Sequence, residues 1–287
     1  MEYKISNVSA LLERFIAHRW IAGPYIDDAL SRARSFENYN IKALINYLGE
    51  DFSDKKDVNT TMHVYYKLIE YINKYKLNSS LSIKPTQIGL HIDKEYAISN
   101  YRLLLRKAKK YNIFVWLDME YYTDVDSTIN MYLKYVNLNN TGICIQSALE
   151  RSIEDVKKIV KKNGTIRLVK GAYSGDIYLN RSDATKEFKD LMKYLFNNSK
   201  RFMIATHDKE LIRLAIKMNK RFNRNLSFGF LNGIIDSYAI SLAKSENVYV
   251  YIPFGERWID YTIRRMKEMH NIMLILHSIF SRGSSIN

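Results

Sequence analysis

Apolar residues along this chain alternate between two patterns. Short runs rich in β-branched and aromatic residues recur at 41–48, 81–86, 113–119, 142–147, 165–170, 201–206, 226–231 and 248–252. Between them lie longer segments, such as 154–162 and 209–219, whose apolar residues fall three and four apart. The first pattern predicts buried strands and the second predicts helices with one apolar face. Eight strand–helix units in series predict an α/β chain folded as a (β/α)8 TIM-type barrel. Two further helical patterns, at 8–19 and 26–36, precede the first strand. The expected organisation is a single barrel domain over 1–287, with a helical extension at 1–40 and the barrel proper at 41–287. The alternative is an open, doubly wound sheet, which needs a glycine-rich phosphate loop after an early strand. After Leu48 and Thr86 stand only Gly49 and Gly89, without a G-x-G-x-x-G, so the barrel is preferred.

Composition narrows the functional classes. The chain has 287 residues, 47% of them hydrophobic, which suffices for one large core. Its one cysteine, Cys144, excludes an intramolecular disulfide and sits in the apolar run Gly142-Ile143-Cys144-Ile145, where it reads as a core thiol. The net charge of +14 admits nucleic acid, an anionic membrane surface or AT-rich coding as its origin. The basic residues are scattered, and Lys109-Lys110, Lys161-Lys162 and Lys217, Lys220 and Arg221 fall in helical segments, where they read as solvated faces. No zinc-finger, RNP or helix-turn-helix pattern is present, so nucleic acid is not expected as a partner. Residues 1–10 are too polar for a signal peptide, and no apolar run approaches the ~20 residues that span a bilayer. A cytoplasmic protein is expected. No metal site is expected either, since no His-Glu-x-x-His, cysteine pair or carboxylate–histidine cluster has metal spacing.

In such a barrel the chemistry lies at the C-terminal ends of the strands. Those ends carry Glu50, Lys84, Asp118-Met119-Glu120, Gln146-Ser147, Lys170-Gly171-Ala172-Tyr173, Thr206-His207-Asp208, Asn232-Gly233 and Tyr251 through Gly255. Arg167 lies inside the fifth apolar run, a costly place for a cation without a partner. Taken singly, Asp118, Thr206 or Asp208 reads equally as a helix N-cap, and Lys84 as a surface lysine. Taken together they bring charged groups to one mouth.

The order and identity of these motifs resemble the flavin-dependent proline dehydrogenases over nearly the whole chain. The resemblance runs from Trp20-Ile21-Ala22-Gly23 and Asn46-Tyr47-Leu48-Gly49-Glu50 through Lys84, Leu117-Asp118-Met119-Glu120 and Gln146-Ser147. It continues with Arg167 through Tyr173 and Ala205-Thr206-His207, and ends at Tyr251 through Trp258, Tyr261 and Arg264-Arg265. The fifth-strand and eighth-strand motifs are the specific ones. The resemblance implies a distorted barrel holding FAD at its mouth and oxidising L-proline to Δ1-pyrroline-5-carboxylate, the first step of proline catabolism. Hydride would pass from a proline ring carbon to flavin N5, and electrons onward to a quinone-type acceptor. It also implies a monofunctional form and gives the basic surface a use in contacting the inner face of a membrane.

Site roles follow from the same resemblance. Lys84, Tyr251, Arg264 and Arg265 correspond to substrate-binding residues, and guanidinium groups suit a carboxylate. Asp118 and Arg167 correspond to catalytic residues beside substrate and flavin. Met119, Gln146, Arg167, Lys170, Gly171, Ala172, Thr206 and His207 correspond to FAD-binding positions, and Tyr173 with Tyr251 to an aromatic wall. Glu50 is expected to act as a gate by sharing Arg264 with Glu268 and the substrate. Two departures stand out: Gly229, where many relatives carry Gln, and Ser174-Gly175-Asp176, which lacks the usual acidic residue. The rival readings are a hydroxyproline or other cyclic amino-acid dehydrogenase on the same scaffold, and a non-catalytic basic barrel binding membrane or nucleic acid.

Overall fold

The computed structural model describes residues 19–171 and 178–268, apart from the side chains at 260, 264 and 266–268. Eight parallel strands close in sequence order into a barrel. They are β1 (Ile41–Tyr47), β2 (Ser79–Ile83), β3 (Val115–Leu117), β4 (Thr141–Gln146), β5 (Ile166–Val169), β6 (Arg201–Ala205), β7 (Asn225–Leu231) and β8 (Asn247–Phe254). The helices are α1 (Ile26–Glu37), α2 (Lys55–Lys74), α3 (Lys94–Lys110), α4 (Val125–Tyr135), α5 (Ser152–Val160), α6 (Arg181–Asn198), α7 (Lys209–Phe222), α8 (Asp236–Leu242) and α9 (Ile259–Glu268). The (β/α)8 barrel expected from the hydrophobic rhythm is the fold, and α1 precedes its first strand as expected. The expected helix at 8–19 lies outside the described residues, save Arg19.

Strand ends differ from expectation for local reasons. β2 stops at Ile83 because Pro85 has no N–H for a ladder and Thr86 opens a 3-10 turn. β8 runs to Phe254 because β1 pairs with it in register from Ile41↔Val248 to Tyr47↔Phe254. The Ile21–Gly23 motif lies against the same strand end: Ala22 N–H donates to Pro253 O at 2.9 Å and Gly255 N–H to Gly23 O at 2.9 Å.

Each strand has two working faces, because side chains alternate. The outward set, including Ile41, Ala43 and Ile45 on β1, Ile143 and Ile145 on β4, and Ile166 and Leu168 on β5, is buried against the helices in one continuous core. The helices meet it with matching stripes. On α2 the buried residues are Val58, Thr61, Met62, Tyr65, Leu68, Ile69 and Ile72, spaced three and four apart. Caps fix where helices begin: Asp54 accepts from Lys56 N–H, Asp93 from Tyr96 N–H, Asn180 from Ser182 and Asp183 N–H, and Asp208 from Glu210 and Leu211 N–H.

The inward set is different. At the waist Leu44, Trp116 and Met203 form a separate apolar cluster, flanked by Phe114, Tyr249 and Tyr251. Gly229 faces this cluster from β7, where a Cβ would meet Met203 Sδ at 3.0 Å and Ala205 Cβ at 3.1 Å. Glycine therefore fits there where a glutamine would push its neighbours aside. Above the waist, toward the C-terminal ends, the inward residues turn polar.

Candidate active site

β3 delivers Asp118 and β5 delivers Arg167 to the floor of the mouth, and both are buried. The Arg167 guanidinium bonds Asp118 Oδ1 and donates to Ser82 Oγ at 3.2 Å. Ser82 Oγ donates in turn to Asp118 Oδ1 at 2.6 Å, and the Tyr251 hydroxyl donates to Asp118 Oδ2 at 3.3 Å. The guanidinium also lies over two rings, 5.5 Å from the centroid of Trp116 and 6.0 Å from that of Tyr251. Arg167 is thus the partnered cation that its apolar setting demands, not a solvent-facing edge residue. Burial, and then the Asp118 charge, push the Tyr251 phenol well above its ordinary value, so it stays a proton donor. Cys144 is buried beside Arg167, its register partner across β4 and β5, with its thiol pushed up by burial; the expectation of a core thiol holds.

Lys84 stands at the rim on the residue after β2. It is 8% exposed, so it is no surface lysine, and its ammonium pairs with Glu50. Glu120 lies behind this pair, fully buried. Burial pushes its carboxyl up to about 7, against the opposing pull of Lys84 and of two hydrogen bonds from Thr86. Tyr65 and Gln87 brace the same corner: Tyr65 hydroxyl donates to Ser82 O at 2.9 Å, and Lys84 N–H donates to Gln87 Oε1 at 3.1 Å.

The opposite rim is built by β4 to β7. Gln146 donates from Nε2 to Glu120 O at 3.2 Å, and its Oε1 faces the Gly171 backbone. Gly171 has φ +117, a conformation that side-chain-bearing residues rarely adopt. Lys170 Nζ is 2.9 Å from Asp208 Oδ2. Thr206 is buried, with its hydroxyl accepting Asp208 N–H at 3.2 Å. His207 Nε2 accepts Leu231 N–H at 3.0 Å, which places the ring proton on Nδ1. Burial, then Arg265, pull its pKa down to about 4, so the imidazole is neutral near pH 7. Arg265 lies over the Tyr261 ring, 5.3 Å from its centroid, on α9.

A model of the proline dehydrogenase family matches residues 29–273. The chain belongs to the proline dehydrogenase family. Among its relatives, proline dehydrogenase 1 of Bacillus subtilis is 30% identical over 278 residues, covering 94% of this chain and 92% of the relative. The proline dehydrogenase of Deinococcus radiodurans is 28% identical over 269 residues, covering 88% of this chain and 86% of the relative. The structure of proline utilization A from Bdellovibrio bacteriovorus superposes with a TM-score of 0.85 at 21% identity. It matches 97% of this chain, which spans about a third (35%) of that longer protein's length. This last likeness shows the barrel. The chain is an oxidoreductase acting on proline.

With the family in place, the sequence-derived residues sort by position. Asp118, Arg167 and Tyr251 form one hydrogen-bonded group, and Lys84 joins Glu50 beside it. On the rim of β4 to β7, Gln146 and Gly171 lie side by side, and Asp208 links Thr206 with Lys170. Asp208 caps α7, whereas Asp118 caps no helix. Ala172, Tyr173 and 174–176 lie outside the described residues, as do the side chains of Arg264 and Glu268, and with them the expected pairing of Arg264 to Glu50. Sequence reasoning gave no role to Ser82, Trp116, Thr86 or Glu120. The signal for Ser82 and Trp116 was present: both share the inward parity of Asp118 along their strands. Among the described residues no helix is long and apolar enough to cross a membrane.

Proposed function

We propose that this barrel oxidises L-proline to Δ1-pyrroline-5-carboxylate with FAD bound at the mouth, and passes the electrons to a quinone-type acceptor. The observation that carries the reading is the buried Asp118–Arg167–Ser82–Tyr251 group beside the Lys84–Glu50 pair. It concentrates fixed charge and a phenol donor at one end of an otherwise apolar barrel. The residues fit a flavin. The Gly171 turn offers backbone without a side chain at a point where a Cβ would meet Gln146 Oε1 at 3.2 Å. Gln146, Lys170, Gly171, Thr206 and neutral His207 stand on one rim and would hold it, with Met119, buried after β3, and Ala172 as further positions. The bound flavin supplies a two-electron acceptor that no amino-acid side chain provides.

The chain's own groups do the rest. Lys84, Arg264 and Arg265 bind the substrate carboxylate by charge-assisted hydrogen bonds. Tyr251 walls the proline ring. Asp118 holds Arg167 and the Tyr251 hydroxyl in fixed orientation, so the Arg167 charge would stabilise the negative charge that a bound flavin would gain on reduction. Glu50, already against Lys84, acts as the gate: α9 closes over bound proline with Arg264 shared between Glu50, Glu268 and the carboxylate, which keeps water out. The +14 net charge supports a cytoplasmic enzyme that meets its acceptor at an anionic membrane surface.

The test is direct. Purified protein reconstituted with FAD is mixed with L-proline without oxygen, and the flavin absorbance is followed. Bleaching, with a pyrroline product, is expected. A protein that retains no flavin, or whose flavin stays oxidised with proline, overturns the reading.

A further inference from the structure

We propose that Glu120 is a positioning residue for proline binding, fixing through Thr86 the two loops that carry Lys84 and Glu50. The proposal rests on the proline-oxidising reading above and adds a residue to it. Both carboxylate oxygens of Glu120 are spent on one neighbour. Oε2 accepts Thr86 N–H at 2.9 Å, and Oε1 accepts Thr86 Oγ–H at 2.8 Å. Thr86 Oγ then accepts Asp51 N–H at 2.9 Å. Thr86 lies two residues beyond Lys84, and Asp51 directly follows Glu50. One buried carboxylate therefore sets the separation of the ammonium and carboxylate that meet at the rim. Its backbone oxygen takes Gln146 Nε2 at 3.2 Å, so the chain of bonds joins the mouth ends of β1, β2, β3 and β4.

The choice of a carboxylate is informative. Glu120 is completely buried, and among the described residues no cation bonds it directly. A buried polar side chain is costly unless it is hydrogen-bonded, and both oxygens of Glu120 are bonded to Thr86. What lies nearby is Lys84, whose charge attracts it. Asp51 is held at a left-handed φ of +57. Its carboxylate meets His91 Nδ1 at 3.4 Å and accepts the Tyr121 hydroxyl at 3.2 Å. The turn after Glu50 is thus clamped on the outside by His91 and Tyr121 and on the inside by the Glu120–Thr86 link. Both clamps act on the position of Glu50 and Lys84 and neither touches the floor group of Asp118 and Arg167.

The experiment uses flavin-loaded protein and two readouts: flavin reduction by proline in rapid mixing, and the rise in melting temperature that proline produces. Glu120→Ala removes both bonds to Thr86 and is expected to raise the proline half-saturation by roughly tenfold or more, the scale of one charge-assisted hydrogen bond to the substrate. The limiting reduction rate and flavin content should stay close to wild type, and the proline-induced thermal shift should fall in parallel. Glu120→Gln keeps an oxygen for Thr86 N–H and should recover most of the loss. Thr86→Val, which removes only the hydroxyl link, should shift half-saturation the same way but less, and serves if Glu120→Ala does not fold. Wild-type half-saturation in the Ala or Val variant overturns the proposal, and so does failure of Gln to rescue. Wild-type protein whose flavin proline does not bleach overturns both this and the function on which it rests.

Discussion

Leu168 and Arg167 are neighbours on β5, both buried, and they face opposite sides of the same barrel wall. Leu168 joins an outer layer in which every strand contributes interchangeable aliphatic residues against the helices. Arg167 enters an inner group in which each member has a named partner and no substitute. The outer face works by area and volume, where many residues share the same task. The inner face works by geometry, where a single missing atom strands a charge. Burial alone does not distinguish a barrel's stability from its chemistry; the direction of the side chain does.

The largest expected effect comes from breaking the inner face. Arg167→Met leaves Asp118 buried without its cation, which costs about 3–5 kcal/mol. Chemical denaturation should show that loss, and the folded fraction should no longer oxidise proline. The adjacent Leu168→Ala tests the outer face. A cavity there costs about 2–5 kcal/mol of stability. The proline half-saturation of the folded fraction should nevertheless match wild type. If Leu168→Ala alters proline kinetics as strongly as Arg167→Met, the division between the two faces fails.

The smallest expected effect sharpens the border between them, at Asp208, which caps α7 and also pairs with Lys170. Asp208→Ala should cost about 1 kcal/mol. Partial burial raises this carboxyl, but Lys170 and the two cap N–H groups outweigh it and hold it below its ordinary value of 3.8. A carboxyl depressed in the folded state stabilises fully above its ordinary value, and that contribution vanishes as pH falls through the lower folded-state value. The stability difference between wild type and Asp208→Ala, measured by urea titration, should therefore hold from neutral pH down to about 4 and narrow below it.

The barrel was legible because its outer face repeats. Eight aliphatic runs, each followed by a stripe spaced three and four apart, carry the same message many times, so errors of a few residues at β2 or β8 do not change the fold. The mouth was legible residue by residue through strand-end position and family motif. What the sequence lacked was pairing. Arg167 announced that it needed a partner, but Asp118 is 49 positions away in the chain and meets it only once the barrel closes. Lys84 with Glu50, and Glu120 with Thr86, are likewise contacts between loops of different units. Gly229 was visible as a departure from relatives; the crowding by Met203 and Ala205 that favours it was not.

The apolar plug of Leu44, Trp116 and Met203 has a consequence for traffic. A cylinder stopped at its waist has one door. Whatever enters at the mouth must leave by it, and nothing can be drained through the far end. Proline and its oxidation product therefore queue for the same opening, and neither can pass while the other occupies it. Accumulating product should slow the enzyme as a competitor for entry, and added proline should relieve that block.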